Sequence, residues 1–598
     1  MLQALREYGS GLDSEPGFKT REVRWCIELA ADGRFLNVLP LGDGKRGQMQ
    51  TRCPDMHNMN AGGKAHFLVE SAQTVARIFK AKEERKKIAS TKGRHEFYVA
   101  MLREASQSIP VLLPLANALE NRLQLRGIRK ALQDNKAKPG DWLIWRVGES
   151  DPRAAAAVQA WWREWRRMDL GDESGDSTSS TGNLEGGSMV CLLTGESVQP
   201  IATQPKITGL SGVGGLAMGD AMVSFDKPAF GSYGLDQSAN AAMRADAAQQ
   251  YIDGLNDLIR NHSRKLANSL VVHWFKEQVT PEDDPLEWLN GFDSQEQTEA
   301  AAQAAARRVL DAIRSGERAA LGDNRYYALT LSGASGRVMV RDWMEGRFEN
   351  LIRNIEAWFS DLAIVKQDGK GLAYDPKFYR ACLALVRNDR SKAISKNLEQ
   401  LPAPVATTLW KVAVQCLPIP KPFMAQALAR FRADIIGDEP FDETRVGLIK
   451  AYFVRLNLGG RNTMTAYLNP DHPAASYHCG RLMAVLAELQ YSALGDVGAG
   501  VVQRYYAAAS QTPGLILGRL IRNAQNHLNK PEKAWTKTTY EKPMMDIISR
   551  LKDNFPRILD LEGQGLFALG YYQQLAALRR GNVKGAVITD ATDEGEAK

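Results

Sequence analysis

The sequence predicts an α+β protein, a mixed α/β N-terminal region followed by an all-α C-terminal helical bundle. Three observations carry that prediction. Strand-like apolar runs fall only in about the first 365 residues. Two of them flank GASG in YYALTLSGASGRVMVRDW (326–343), the clearest hairpin signal in the chain. From about residue 366 onward no convincing strand remains, and helical segments alternate with Pro-rich breaks at PAP (402–404) and LPIPKP (417–422).

At 598 residues the chain exceeds what one hydrophobic core usually supports, so several domains are expected. In the first, 1–168, VRWCIELAADGRFLNVLPL reads as a hairpin turning at Ala-Asp-Gly. The loop after it, GDGKRGQMQTRCPDMHNMNAGGK, is too long and polar to be core. It reads either as a disordered connection or as a binding loop, which would offer Lys45, Arg46, Arg52, Asn58, Asn60 and Lys64 as nucleic-acid contacts. Helical periodicity dominates 66–134, with the basic tract KAKEERKKIASTKGR (80–94) read as a solvated helix face. A strand at DWLIWRVG precedes a helix that interleaves Trp161, Trp162 and Trp165 with arginines. Aromatics at that spacing are expected to be core. DLGDESGDSTSSTGNLEGGS (169–188) reads as a flexible insertion. The α/β pattern resumes over 189–365, with strands at MVCLLTG, AMVSF, SLVVHWF, YYALTLS and RVMVRDW and helices near 241–262, 296–315 and 346–363. A helical region follows over 366–482, then a bundle over 483–598, with a break upstream marked by His472-Pro473 and Gly480.

Net charge is +7 with a pI near 8.9, mild for this length, so any basic surface must be local. Six cysteines form no CxxC pair, which points away from a zinc ribbon or disulfide framework. No charged, then apolar leader and no apolar run of membrane-spanning length is present, which predicts a cytoplasmic protein without a membrane partner.

The most informative stretch is 191–243, rich in Gly, Ser and small residues and nearly free of carboxylates between Pro200 and Met218. Such a loop can bring backbone amides close to phosphates without repelling them, with Lys206, Ser211 and the Gly209–Gly215 loop as the contacts. Gln237 and Asn240, in GLDQSANA, can contact a separated base edge because their amides both donate and accept. Asn240 could instead cap a helix starting near Ala241. In LILGRLIRNAQNHLNK, one helix face is apolar while Arg519 and Arg522 lie on the other, a track for one DNA strand. Catalysis is not expected. Histidines are few, and no HExxH, GxSxG or GxxxxGK[ST] occurs. Cys191 beside Thr194 and Glu196 reads as core, His57 near Cys53 and Asp55 lacks a second ligand pair, and Asp434, Asp442 and Glu443 are no two-metal site. No cofactor or metal is predicted.

The order CLLTGE, PKITGLSG, AMVSFDKPAFGSYGLDQSANAAM and NSLVVHWF (268–275) resembles the large subunit of the type I-C CRISPR surveillance complex, Cascade. REVRWCIELAADGRFLNVLPL, YYALTLSGASGRVMVRDW and the GRLMAVLAELQ to QGLFALGYYQQ region extend the resemblance over nearly the whole chain. One departure stands at 65–72: the family tends to read PNFLADNA, whereas this chain reads AHFLVESA, with Ala65 and Ser71 in place of Pro and Asn.

The resemblance implies a non-catalytic role in antiviral defence, within an RNA-binding complex whose guide RNA ribonucleoprotein includes backbone and guide-processing subunits. The large subunit would recognise the protospacer-adjacent motif in double-stranded target DNA, largely from the minor groove. It would promote duplex opening and R-loop formation, hold the displaced single strand and recruit a helicase-nuclease. It also implies a small subunit made from an internal start near Met483. Two other readings stay open at this point: a metal-dependent nuclease, whose cleavage alanine changes at acidic residues would abolish, and a purely structural helical scaffold, whose DNA association would not depend on Lys206.

Overall fold

A computed structural model describes residues 1–12, 17–42, 47–56, 63–80, 83–172, 189–198, 200, 203–231, 235, 237–290, 301–374, 376–389, 391–437, 441–456, 463–495, 497, 500–528, 537–552 and 555–589. The chain divides into two compact units, Met1–Lys206 with Val223–Leu255, and Ile207–Met222 with Asn256–Lys598.

In the first unit, β1 (Phe18–Val23), β2 (Trp25–Leu29), β3 (Phe35–Pro40), β4 (Gln48–Pro54), β5 (Glu70–Ser71) and β6 (Trp142–Val147) make a two-stranded ribbon, β1-β4, and a four-stranded sheet, β3-β2-β6-β5. β2 and β3 form the expected antiparallel hairpin. Ala30 N–H donates to the Arg34 carbonyl at 2.9 Å, and Gly33 takes the left-handed φ of 87° that a side chain would resist. β2 pairs in parallel with β6, so the helices between them, including Arg85–Ser108 and Arg122–Asp134, form the crossover. The tryptophan helix, Ala156–Asp172, packs as core. Trp162 is fully buried, stacks on Phe67 and Trp165, and donates Nε1–H to the Gly17 carbonyl at 2.7 Å. That helix runs through Asp172, past the start expected for the flexible insertion, and the rest of the insertion, 173–188, lies outside the described residues.

Two expectations need correction here. The segment 42–64 is not one loop: β4 occupies its middle and pairs antiparallel with β1, with Cys53 and Met56 buried. QMQTRCP pairs with the equally polar KTREV, so an edge ribbon forms without the apolar alternation that would announce it. AMVSF is not a strand. Ala221 makes a single bridge to Arg337, its N–H bonding the Gly336 carbonyl at 2.8 Å and its carbonyl the Val338 N–H at 2.9 Å, and the chain then leaves the ladder. MVCLLTG is a strand only over β7 (Met189–Val190), which pairs with β8 (Ser197–Val198) across a turn closed by Gly195 N–H on the Cys191 carbonyl at 2.9 Å.

The second unit holds β9 (Ser263–Leu266), β10 (Ser269–Phe275), β11 (Arg325–Ala334) and β12 (Arg337–Arg347) in one antiparallel sheet, order β12-β11-β10-β9. The β11–β12 hairpin is the predicted one. Helix Phe348–Leu362 follows directly and buries Phe348, Leu351, Ile355, Trp358 and Phe359. One hydrophobic core runs from β9 and β10 through the helices to Leu578, and no strand follows β12 among the described residues. Small sheets with helices first and helices alone afterwards make the chain α+β.

Two long helices, Ala475–Leu494 and Leu561–Thr589, cross closely within that core. A Cβ on Gly480 would lie 1.9 Å from the Phe567 carbonyl oxygen, and one on Gly570 would lie 2.1 Å from that of Tyr477. Gly480 is therefore no break: it sits inside a helix because two backbones meet there, a use of glycine that sequence cannot tell from a helix stop. Among the described residues no helix is long and apolar enough to cross a membrane.

Candidate nucleic-acid interface

The Gly-rich loop of the second unit is hydrogen-bonded and closely packed onto the β11–β12 turn. Ile207 and Asp220 close its base through reciprocal backbone hydrogen bonds of 2.9 and 2.8 Å. The Asp220 carboxylate is completely buried and accepts from the Leu216 N–H at 3.1 Å and the Gly336 N–H at 3.0 Å. At the stem, Thr208 donates its N–H and hydroxyl to Asn256 Oδ1 at 2.8 and 3.2 Å. The glycines permit this seating. A Cβ on Gly333 would fall 2.1 Å from the Gly215 backbone, and one on Gly214 would fall 2.9 Å from the Gly333 carbonyl oxygen at a φ of 92°. Packing against the hairpin thus accounts for Gly214 and Gly215. What the loop presents outward is Ser211, Gly212 and the Leu216–Met218 tip, where Met218 is 79% exposed.

Lys206 is exposed immediately ahead of this loop, and Lys64 is half-buried. Gln237 is exposed and left-handed, φ 48°, at the head of the Gln237–Ala241 turn. Asn240 donates its amide to the Leu235 and Gln237 carbonyls, both at 3.1 Å, which braces that turn. The next helix begins at Ala245, so Asn240 is not its cap. Of the expected contacts, the structure joins Gln237 and Asn240 directly.

Arg519 and Arg522 are exposed on helix Pro513–Leu528, whose Leu517, Leu520, Ala524 and Leu528 are buried, as the helical spacing requires. Arg52 falls on β4, while Lys45, Arg46, Asn58 and Asn60 lie outside the described residues, as does His57. The departure at 65–72 is structural in this chain. Ala65 is fully buried and Ser71 caps helix Ala72–Ala76 by accepting the Thr74 N–H.

The groups that resemble catalytic or metal sites have protein partners. Cys191 is buried and accepts the Arg244 N–H at 3.4 Å. Asp434 and Asp442 both pair with Arg445, a guanidinium only 3% exposed, and burial raises Asp442 to about 6. His273, Asp284 and Glu287 lie within 4.8 Å of one another, a grouping the sequence reading missed because β10 and the next helix bring it together. His273 Nε2 meets Asp284 at 2.7 Å, the other Asp284 oxygen accepts the Leu286 N–H at 2.8 Å, and Glu287 pairs with Arg264 at 2.9 Å.

Burial opposes charge on His273, but Asp284 outweighs it and raises the imidazole above its ordinary value. A raised folded-state value stabilises fully below the unfolded pKa of about 6.5 and loses that contribution as pH rises through the folded value. The stability advantage of the natural chain over Asp284→Asn, measured by denaturant unfolding, should therefore shrink as pH rises from about 6. An advantage that does not change with pH would show that His273 is neutral in the pair.

Comparison with known proteins gives the family to which the chain belongs. The chain matches the family model of the CRISPR-associated protein (Cas_Csd1) over residues 3–579 and belongs to that family, the large-subunit family of type I-C systems. It is a subunit of a Cascade complex. Among curated proteins none matches the chain.

Proposed function

We propose that this chain is the non-catalytic DNA-binding large subunit of its type I-C complex. It recognises the protospacer-adjacent motif in the target duplex, promotes opening and R-loop formation beside it, and recruits the helicase-nuclease, in the cytoplasm. The observation that carries the reading is the family match along nearly the full length. The loop around Ser211 supports it: buttressed by Asp220 and the β11–β12 turn, its exposed backbone is held in place before any ligand arrives, which is what close approach in a groove requires.

The test is a salt titration of duplex binding by the assembled complex, with and without Lys206→Ala and Lys64→Ala. Each lost phosphate contact should flatten the log–log slope by roughly 0.9. An unchanged slope would move the interface elsewhere. Metal-dependent cleavage by the purified complex without a helicase-nuclease would favour the nuclease reading, and binding indifferent to both lysines together with unaltered R-loop yield would favour a scaffold.

The small-subunit expectation belongs to the same proposal. Met483 is fully buried in the middle of helix Ala475–Leu494, so a product of residues 483–598 starts inside that helix and lacks Tyr477, whose hydroxyl meets Gln573, and Gly480. Met483→Leu, close in volume, should remove the short species from native-gene expression while full-length protein stays folded. A short band that persists in the variant would place the start elsewhere.

A further inference from the structure

The first unit carries a second, independent concentration of positive charge. Helix Arg122–Asp134 buries Leu125, Ile128 and Leu132. Arg122, Arg126, Arg129 and Lys130 therefore recur at i, i+4, i+7 and i+8, one stripe in which successive i+4 positions rise by about 6 Å along the axis. No acidic residue interrupts it before Asp134. Arg129 is anchored: its Nε–H donates to the Ala76 carbonyl at 2.7 Å, beside Arg77. Arg77 is held left-handed, φ 54° and ψ 48°, at the end of helix Ala72–Ala76, and its buried Nε has no hydrogen-bond partner among the described residues.

None of these five side chains pairs with a carboxylate among the described residues, whereas Arg103, Arg153, Arg445 and Arg455 each do. The result is mutual repulsion. Burial, then Arg77, then Arg126 lower Arg129 from its ordinary value, and burial followed by Arg77 lowers the neighbouring His95. Like charges gathered without counter-ions cost stability, which is recovered when an anion binds.

We propose that Arg122, Arg126, Arg129 and Lys130, with Arg77 beside them, form a track for the phosphate backbone of a nucleic-acid strand, distinct from the Gly-rich loop and resting on the nucleic-acid reading above. The linear spacing fits a polyanionic strand. A lipid surface fits less well, because Leu123 is the one large apolar side chain this helix exposes.

The experiment compares the full chain with Arg122→Gln/Arg126→Gln/Lys130→Gln, three exposed residues outside the core. The probes are oligothymidylate and a duplex of arbitrary sequence, followed by fluorescence anisotropy over a salt series, with melting temperature as the folding control. The oligothymidylate slope should fall by about 2 for three contacts, with melting unchanged. An unchanged slope, in a chain whose duplex binding still responds to Lys206→Ala, overturns the track and leaves the Gly-rich loop standing. Failure of the natural chain to bind either probe overturns the nucleic-acid reading and the track together. Vesicles of phosphatidylserine and phosphatidylcholine form the last arm: release of the variant from them with its DNA slope intact overturns the track in favour of a membrane contact.

Discussion

Gly480→Ala should destabilise the second unit by about 3 kcal/mol or more, the largest single-residue effect expected from the fold. The added methyl would stand 1.9 Å from the Phe567 carbonyl oxygen, a backbone atom of a packed helix that cannot rotate aside as a side chain could. Relief requires the Ala475–Leu494 and Leu561–Thr589 helices to separate, which also pulls Tyr477 from Gln573 and Arg481 from Gln574. The control is Gly518→Ala on helix Pro513–Leu528. That glycine is exposed and its Cβ would meet nothing within 4 Å, so only the conformational entropy of the unfolded chain changes and stability should rise by about 0.5–1 kcal/mol. Urea midpoints at constant m-value separate the two. A Gly480→Ala midpoint equal to that of the natural chain would mean that the helices do not cross there.

What could be read from the sequence was what is local. The β11–β12 hairpin, the Trp162 helix and the Leu517–Leu528 face each announce themselves through periodicity over one or two turns or one strand, and each stands in the fold as expected. What stayed hidden depends on distant partners. β4 is polar and exists because β1 offers it a ladder. The small residues at 209–215 are conspicuous in the sequence, but the approaching backbone is Gly333, and Asp220 is tied to Gly336, 116 positions away. Gly480 was read as a break because a helical glycine and a helix stop look alike without the second helix. The Arg122–Lys130 stripe went unnoticed in the sequence although its i, i+4 and i+8 spacing is local, and Arg77 joins it only through the turn after Ala76.

Gly333→Ala should cut duplex binding by the assembled complex at least about tenfold while the fold survives, because it acts on how the loop is held and not on any charge. Gly333 has an ordinary backbone conformation, so alanine is tolerable at that position taken alone. Its Cβ, however, would lie 2.1 Å from both the nitrogen and the Cα of Gly215. Two outcomes are open to the chain: distort a hydrogen-bonded β11–β12 hairpin, or lift the loop. The loop is the weaker partner, since it is tied down by the Ile207–Asp220 bridge and the Asp220 carboxylate, whereas the hairpin is held by a ladder that runs from Arg325–Arg347 to Ala334–Arg337. Lifting it unseats Ser211 and Gly212 but removes no lysine or arginine, so the salt slope should stay near that of the natural complex while affinity falls. That combination separates a positioning defect from loss of a phosphate contact, which Lys206→Ala should show instead. A target already melted beside the motif distinguishes motif reading from strand separation: if affinity for it is also lost, the loop acts on the strands as well as on the motif. Undiminished affinity for the intact duplex would show that the loop's seating has no part in binding, and the interface would then have to be sought on the exposed arginines of the first unit.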